Sequence, residues 1–417
     1  MRSQCAAVIA VVACCLGACD RTEPQPPVAQ AAVSAPVAVV DPAHPVHPVD
    51  ADGANRGDTP VQADGPTSPS EPSFALGRAR TLFSASRLKG GRILVAGGLA
   101  NQAQATSFHA NAEVVDTLWH DGAGRVLPPI EFSARVLPGH FLHAAVELDD
   151  GRVLLVGGSA NTFVEWFDPD RDAKGRFVRG PDLPGGQRAA LTATKLADGR
   201  VFIAGGRTVA GQALDHTALF DPKSNTITSG PRLREPRACH TATLLSDGRV
   251  FVCGGVGRDS TELYDPKTNA IAAGPTLRSA RDDHRATLLG DGSVLIVGGQ
   301  DELSKTSSRV ERFVPSLDRI DAMEALAVAR ADHEQVLLDD GSVLVLGGES
   351  DDGTDQHDTI LDAVERFDPA VGRWTKCAAM REARDDFAAV KLGDGRLLLI
   401  GGQGRDGVLK SLEYYEP

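Results

Sequence analysis

A nine-residue pattern of polar and apolar positions recurs seven times along the chain. Each copy opens with a polar turn, most often Asp-Gly, continues through an apolar and mostly β-branched or leucine-rich run, and closes with Gly-Gly. The seven copies end at Gly98, Gly158, Gly206, Gly255, Gly299, Gly348 and Gly402. Asp-Gly is a hairpin-turn signal, and we expect both of its residues to adopt positive φ. Each copy therefore predicts a turn, a strand and a glycine pair at which no Cβ fits.

The spacing of the copies indicates a repeat architecture. Successive copies lie 60, 48, 49, 44, 49 and 54 residues apart, a period typical of repeated supersecondary units. In each unit we expect four strands, as at 240–245, 247–255, 262–266 and 269–275. The nearly continuous apolar run of the second strand suits a sheet that is buried on both faces. Radial packing of such sheets around an axis would cover both faces.

The repeated motifs resemble those of a known family. The Gly-Gly doublet, the Arg three residues before a His or Phe, and the Glu-x-Tyr/Phe-Asp-Pro strand are similar to kelch repeats over about residues 74–417. The resemblance implies an all-β fold, a seven-bladed kelch-type β-propeller. One departure is the fourth-strand tryptophan usual in kelch blades, which is present only as Trp374.

The seventh repeat stops at Pro417 with only three of its four strands. A strand at 73–76 precedes the first blade, and we expect it to pair with the last blade as its outer strand. Closing the ring in this way removes two open sheet edges, which are sites of unwanted pairing.

The chain begins with features of a bacterial lipoprotein signal peptide at residues 1–18. Arg2 precedes an apolar run from Cys5 to Cys15 that is too short to span a bilayer. The following Leu16-Gly17-Ala18-Cys19 resembles a lipobox, which implies lipidation of Cys19. An ordinary signal peptide with an incidental cysteine is the alternative. By the resemblance the protein is anchored in the bacterial cell envelope, on the periplasmic face of either membrane or on the cell surface.

Residues 19–71 are rich in Pro, Ala and Val and almost free of aromatic residues. Such a composition buries too little apolar surface to offset the entropy lost on ordering, so it predicts a disordered tether. We expect the propeller to occupy residues 72–417.

Charge and cysteine content exclude several classes of function. The formal net charge is -13 and no basic cluster occurs, which argues against nucleic-acid binding. Beyond residue 19 the cysteines are Cys239, Cys253 and Cys377, an odd number that fits no disulfide framework. A two-residue turn at 247–248 would place Cys253 opposite Ala242 and Cys239 on the other face. We therefore expect all three to be small buried hydrophobic residues.

Three columns of polar residues recur when the repeats are aligned. The first contains Arg80, His140, Arg188, Arg237, Arg281, Arg330 and Arg384; the second Phe83, His143, Leu191, His240, His284, His333 and Phe387; the third Glu113, Glu165, Ala218, Glu262, Glu311, Glu365 and Glu413. A role repeated in every blade is more often architectural than catalytic. We expect the Arg and Glu columns to form ion pairs and the His column to pack at the edge of the core.

Residues that break the sevenfold pattern are the candidates for binding. The position before the second column is acidic in three consecutive blades, and the candidate ligand rim contains Arg80, Arg281, Asp283, Arg330, Asp332, Arg384 and Asp386. This rim either hydrogen-bonds a polar ligand such as a glycan or satisfies itself as an ion-pair network. The sixth-blade loop carries Asp351, Asp352, Asp355 and Asp358, which either hold a divalent cation or form a solvated loop. No other metal site and no cofactor are predicted.

The sequence favours a monomeric, non-catalytic binding or scaffolding module for a protein or carbohydrate, anchored to a membrane by lipid. Copper radical oxidases with kelch propellers need two ligand tyrosines, one of them cross-linked to a cysteine. Tyr264 and Tyr415 here occupy the repeated aromatic position of the third strand, and no catalytic residue is predicted. A sialidase box is also missing. The alternative is a periplasmic sugar mutarotase or epimerase that uses the central funnel.

Overall fold

The computed structural model describes residues 74–100, 109, 111–117, 130–135, 140–159, 161–172, 174–351 and 359–417. Cys19, the tether at 19–71 and most of the acidic sixth-blade loop lie outside the described residues. The chain divides into two units; the propeller belongs to one, and the other, residues 18–71, lies outside the described residues. No helix in the described part is long and apolar enough to cross a bilayer.

Seven four-stranded antiparallel sheets form the blades. The first described strand is β1 (Phe74–Ala75). Blade 1 contains β2 (Ser84–Arg87), β3 (Ile93–Ala96), β4 (Asn111–Val115) and β5 (Ile130–Arg135). Blade 2 contains β6 (Ala144–Glu147), β7 (Val153–Val156), β8 (Phe163–Asp168) and β9 (Arg176–Asp182). Blade 3 contains β10 (Thr192–Lys195), β11 (Val201–Ala204), β12 (Thr217–Asp221) and β13 (Thr226–Ser229).

Blade 4 contains β14 (Thr241–Leu244), β15 (Val250–Cys253), β16 (Thr261–Asp265) and β17 (Ala270–Ala273). Blade 5 contains β18 (Arg285–Leu288), β19 (Val294–Val297), β20 (Val310–Val314) and β21 (Arg319–Ala322). Blade 6 contains β22 (Glu334–Leu337), β23 (Val343–Leu346), β26 (Val364–Asp368) and β27 (Arg373–Lys376), with the small ribbon β24 (Glu349–Ser350) and β25 (Thr359–Ile360). Blade 7 contains β28 (Ala388–Lys391), β29 (Leu397–Ile400) and β32 (Ser411–Tyr415), with the ribbon β30 (Gln403–Gly404) and β31 (Gly407–Val408). Two 3-10 turns lie at Lys89–Gly91 and Pro315–Leu317.

Strand β1 completes blade 7, which confirms the predicted closure. Its Phe74 lies opposite Leu412 of β32, and Ala75 lies opposite Ser411. The Leu76 N–H then donates to the Lys410 carbonyl at 2.7 Å. Apolar side chains of blades 7 and 1 share one hydrophobic core, so the ring is closed by both hydrogen bonds and packing.

The second strands are buried on both faces, as their apolar runs predict. All four residues of β3, β7, β11, β15, β19, β23 and β29 are buried. Aromatic rings lock neighbouring blades together: Phe202 of blade 3 stacks on Tyr264 of blade 4 with ring centroids 4.0 Å apart. The hydrophobic core is therefore a series of layers between blades.

The hairpin turns differ from the prediction. Thr241, not Ala242, lies opposite Cys253, because the loop contains three residues, 246–248, closed by the Leu245 N–H to the Arg249 carbonyl at 2.8 Å. Only the glycine of the Asp-Gly pair adopts positive φ, 90° at Gly248. The Asp247 side chain instead accepts the Arg249 N–H at 2.9 Å, which is the local hydrogen bond that favours Asp in turns.

The Gly-Gly doublets end the second strands for the steric reason predicted. At Gly205, a Cβ would lie 2.4 Å from the Arg237 carbonyl oxygen of the next blade. Gly206 has φ 99°, a conformation that costs other residues energy. The doublet thus allows the backbone of the following blade to approach.

Candidate functional site

An axial cavity of about 650 Å³ lies at one end of the propeller and is lined by the beginnings of all seven inner strands. Its volume falls in the range of small-molecule and side-chain pockets. Isolated bridges join the residue after each of several Gly-Gly doublets to the segment before the inner strand, as between Asp282 and Gln300 and between Ala331 and Glu349. The loops after these doublets therefore begin on the face where the cavity opens.

A ring of left-handed residues surrounds the mouth of the cavity. In chain order it contains Leu82, Leu142, Ala190, Cys239, Asp283, Asp332 and Asp386, with φ between 45° and 55°. At six successive interfaces, from blade 1 to blade 7, each residue donates its N–H to the carbonyl of the one before, at 2.8–3.3 Å. We call this the mouth ring. Because its backbone bonds run from blade to blade, they fix the spacing of its side chains.

The mouth ring is apolar on one side and acidic on the other. Blades 1 to 4 contribute two leucines, an alanine and a cysteine, whereas blades 5 to 7 contribute Asp283, Asp332 and Asp386. Asp tolerates left-handed φ better than most residues, so its use here is sterically sound. The cavity therefore presents a hydrophobic half opposite three neighbouring carboxylates.

Two charged residues that the sequence analysis missed lie deeper in the cavity. The position two residues after each mouth-ring residue also lines the cavity. Five blades have a small side chain at this position: Ser84, Ala144, Thr192, Thr241 and Ala388. The other two carry Arg285 and Glu334, whose Nη2 and Oε1 atoms are 3.4 Å apart. Their departure from a column of small residues was the signal that would have identified them.

Burial and charge shift the pKa values of this acidic half. Burial raises the pKa of Glu334, and the nearby Arg285 opposes the shift without cancelling it. Next to the mouth ring, Asp282 does not line the cavity, and burial and the Asp283 charge raise its pKa to about 8. Burial also raises the pKa of Asp283, although Arg207 and the Gln300 amide, whose Nε2 donates to Asp283 at 2.9 Å, oppose it. The acids thus lie in a medium that resists negative charge, which a cation would relieve.

The arginines predicted to belong to a ligand rim do not face solvent. Arg80, Arg281, Arg330 and Arg384 are at most 1% exposed. Their Nη2 atoms lie 2.5 Å from Glu113, 2.6 Å from Glu311, 2.8 Å from Glu365 and 3.6 Å from Glu413, respectively. This part of the rim was predicted wrongly, because each guanidinium points into its own blade, where a third-strand glutamate of the Glu column receives it. These arginines instead form ion pairs within their own blades, which was the alternative interpretation of the rim. Ligand binding by the three aspartates stays a prediction.

The histidine column joins neighbouring blades, and His143, His240 and His284 form part of the cavity lining. His143 Nε2 lies 2.8 Å from the Ser84 hydroxyl, and His284 Nε2 lies 2.9 Å from the Thr241 hydroxyl. Burial lowers the pKa of His240 to about 3 and those of His143, His284 and His333 well below the usual value. These rings are therefore neutral packing elements at the edge of the core, as expected.

The remaining predicted sites are only partly described. Asp352, Asp355 and Asp358 lie outside the described residues; Asp351 donates its N–H to the Thr306 hydroxyl at 3.0 Å. No group of three His, Cys, Asp or Glu in the described ranges is arranged to hold a metal ion.

The cysteines and tyrosines lie in several different environments. Cys253 is fully buried, with its thiol pKa raised to about 12 by burial, but Cys239 and Cys377 are half-buried, contrary to expectation. Cys239 is half-buried because it belongs to the mouth ring. The Tyr415 hydroxyl donates to the Ala378 carbonyl at 2.8 Å, and the cavity lining in the described residues contains no tyrosine.

Comparison with known proteins gives short matches in sequence. No protein-family model matches the chain. Kelch-like protein 26 of Mus musculus is 44% identical over 57 residues, 14% of this chain and 9% of that protein. Kelch-like protein 34 of Homo sapiens is 43% identical over 63 residues, 15% and 10% of the two chains. The chain spans about a tenth of the length of these curated relatives.

Solved structures with the same architecture cover much more of the chain. A structure described as a novel fungal alcohol oxidase with catalytic diversity among the AA5 family, in complex with copper, superposes with a TM-score of 0.68 at 17% identity, covering 83% of this chain and 76% of that one. The structure of YjhT superposes with a TM-score of 0.55 at 15% identity. The superposition covers 68% of this chain and 99% of that chain. At such identities the likeness shows the fold alone. With the repeated Gly-Gly motifs and the kelch-like matches, it identifies the described part of this chain as a seven-bladed kelch-repeat β-propeller.

Proposed function

We propose that this protein is a non-catalytic binding module of the bacterial envelope, whose axial cavity receives a cationic side chain from a protein partner. The observation that carries the proposal is the two-sided mouth ring, with Asp283, Asp332 and Asp386 opposite an apolar half. A lysine or arginine side chain has a matching division, an apolar stem and a charged end. The kelch propeller fold itself supports a binding or scaffolding role.

The charge of the cavity favours a cation over an anion. Arg285 lies in the lining together with four carboxyl groups, those of Glu334 and the three mouth-ring aspartates. Burial raises the pKa of Asp283, and an incoming cation would stabilise its ionised form. Electrostatic complementarity of this kind directs association and excludes partners of the wrong charge.

A peptide titration tests the cavity directly. The full chain is titrated with a lysine-rich peptide and with the same peptide acetylated on its lysines, and binding is measured by calorimetry. We expect the triple variant Asp283→Asn, Asp332→Asn and Asp386→Asn to bind the lysine peptide about tenfold more weakly, because three attractive interactions are lost. The acetylated peptide should bind weakly to both proteins.

The matched control removes three exposed acids elsewhere: Asp149→Asn, Asp170→Asn and Asp339→Asn. An equal loss of affinity in both triple variants would show a diffuse surface-charge effect and reject the cavity. A neutral glycan that binds the wild type and competes with the lysine peptide would instead favour a carbohydrate partner.

Anchoring is part of the same proposal and has its own test. The Leu-Gly-Ala-Cys motif supports lipidation of Cys19, and two or more acyl chains would hold the protein on a membrane stably. We expect the wild type in the membrane fraction of a bacterial host and Cys19→Ala in the soluble fraction. Equal membrane retention of the two proteins would reject the lipid anchor.

A sugar mutarotase or epimerase is the second candidate, and the pair inside the cavity favours it. Burial raises the pKa of Glu334 toward the range useful for proton transfer, and Arg285 lies 3.4 Å away. If the protein is such an enzyme, Glu334→Gln should abolish sugar interconversion measured by NMR, whereas the binding module should show no turnover in either form. The copper of the fungal oxidase is not proposed here, since the three tyrosines lie on third strands.

A further inference from the structure

One blade of the propeller contains a buried arginine whose carboxylate partner is missing. In blades 1, 4, 5, 6 and 7 the arginine of the first column pairs with a glutamate of the third strand, at 2.5, 2.6, 2.6, 2.8 and 3.6 Å. In blade 3 the corresponding residues are Arg188 and Ala218. Arg188 is fully buried, and so is Ala218.

The Arg188 guanidinium makes fewer hydrogen bonds than the first-column arginines of the other blades. Its Nη1 donates to the His216 carbonyl at 3.0 Å, as the other arginines do to the matching carbonyl of their own third strand. Its Nη2, which faces glutamate in the other five blades, and its Nε have no hydrogen-bond partner among the described residues. A buried cation without a counter-charge costs several kcal/mol.

Deprotonation does not remove this cost at neutral pH. Burial, with a smaller effect from the Arg232 charge, lowers the pKa of Arg188 to about 10, so the group stays charged at pH 7. The carboxylate of Asp215, next to His216 in the chain, pairs with Arg232 at 2.5 Å. The side chain of His216 is 28% exposed, and burial and both arginines lower its pKa, which favours the neutral ring, so it supplies no counter-charge.

In other blades a backbone N–H also donates to the glutamate that pairs with the arginine. The residue three positions before the arginine donates its N–H to the same glutamate, at 2.6 Å from Gly77, 2.8 Å from Arg234 and 3.0 Å from Arg278. In blade 3 this residue is Gly185, and a Cβ built on it would lie 2.5 Å from the partly exposed His216 ring. In blade 3 the donors that meet at the glutamate of other blades therefore lie beside a side chain that is partly exposed to solvent.

We infer that blade 3 binds a small monovalent anion, a halide or the carboxylate of a small acid, at the place of the glutamate carboxylate that pairs with the equivalent arginine in five other blades. The anion would accept from Arg188 Nη2 and balance its charge. This site is separate from the axial cavity and does not depend on the proposed function.

Anion-dependent stability tests the inference. The melting temperature of the full chain is measured as gluconate, which is too bulky for the place of one carboxyl group, is exchanged for chloride or for formate at constant ionic strength. We expect a saturable rise of a few degrees for the wild type. Saturation in formate alone would identify a carboxylate site, and saturation in both anions a general monoanion site.

Two variants make the test specific. Ala218→Glu supplies the missing carboxylate, so it should melt higher than the wild type in gluconate and show no saturable response to chloride or formate. Glu262→Ala removes the carboxylate beside Arg237 in blade 4. The melting temperature of this variant should therefore show a larger saturable rise with chloride or formate than that of the wild type. A wild-type melting temperature that is the same in all three salts, or a response that Ala218→Glu retains in full, would overturn the inference.

Discussion

Asp332 donates its backbone N–H to the carbonyl oxygen of Asp283 at 3.2 Å, across the interface between blades 6 and 5. Both residues have φ 50°, and backbone hydrogen bonds from blade to blade hold the mouth ring together. An Asn at either position can keep the left-handed backbone and removes the charge. This separation of shape from charge makes the acidic half suitable for mutagenesis.

The left-handed conformation predicts how the mouth ring tolerates substitution. We expect Asp332→Val to destabilise the protein by about 1–2 kcal/mol, because a β-branched residue is strained at positive φ. Asp332→Asn and Asp332→Gly should stay close to the wild type, since both residues adopt this conformation readily. Urea unfolding followed by fluorescence measures the difference. Equal stability of the Val and Asn variants would contradict a strained ring.

Ring closure predicts a sharp dependence on a few residues near the start of the propeller. A chain that begins at residue 72 retains β1 and should be as stable as the full chain. A chain that begins at residue 77 loses β1 and the buried Leu76, which is 2% exposed, and exposes the edge of β32. We expect its melting temperature to fall by at least several degrees. Similar melting curves for the two truncations would show that the outer strand of blade 7 contributes little.

The architecture followed from the sequence because its signals are local and repeated. Each Gly-Gly doublet marks a steric contact, and each apolar run marks a sheet buried on both faces, so the blade count and the closure strand were predictable. The turn register was not, because Asp-Gly suits both two-residue and three-residue loops. In the Asp247-Gly248 pair only Gly248 has positive φ, which fits the three-residue loop.

The candidate site was predictable only in part. The three mouth-ring aspartates stood out because they break a repeat. Arg285 and Glu334 were missed, because they break a different column, two residues further along the chain. No feature of the sequence predicts the left-handed backbone of Leu82 and Cys239, since neither residue type prefers that conformation. The direction of the arginine side chains depends on glutamates more than twenty residues away in sequence, which local patterns do not specify.

Burial predicts that the repeated ion pairs differ greatly from those on the surface. Glu365→Gln leaves Arg330, which is 0% exposed, without its counter-charge, and we expect a loss of about 3 kcal/mol or more. The matched surface pair is Arg373 with Glu324, 3.4 Å apart and with side chains 73% and 42% exposed. Arg373→Met should cost less than about 1 kcal/mol. Denaturant titration of both variants checks the contrast, and similar losses would contradict it.

The raised pKa of Asp282 predicts a pH-dependent effect of its substitution. Burial and the Asp283 charge raise it to about 8, above the unfolded value of about 3.9, so the folded state keeps a proton that the unfolded state releases. This contribution is fully present below about pH 4 and is lost as the pH rises through 8. Asp282→Asn does not titrate, so its stability relative to the wild type should increase from about pH 5 to about pH 8.5.

The histidines act in the opposite direction on the acid side. The pKa of His240 is lowered to about 3, below the unfolded value of about 6.5, so wild type and variant should both lose stability as the pH falls from about 6.5 toward 3. Because this loss is common to both proteins, it cancels when their melting temperatures are subtracted at each pH. Asp339→Asn, with a side chain that is 81% exposed in the wild type, is the control for the loss of an exposed carboxylate. A difference between Asp282→Asn and the wild type that stays constant with pH would contradict the raised pKa of the Asp282 carboxyl in the fold.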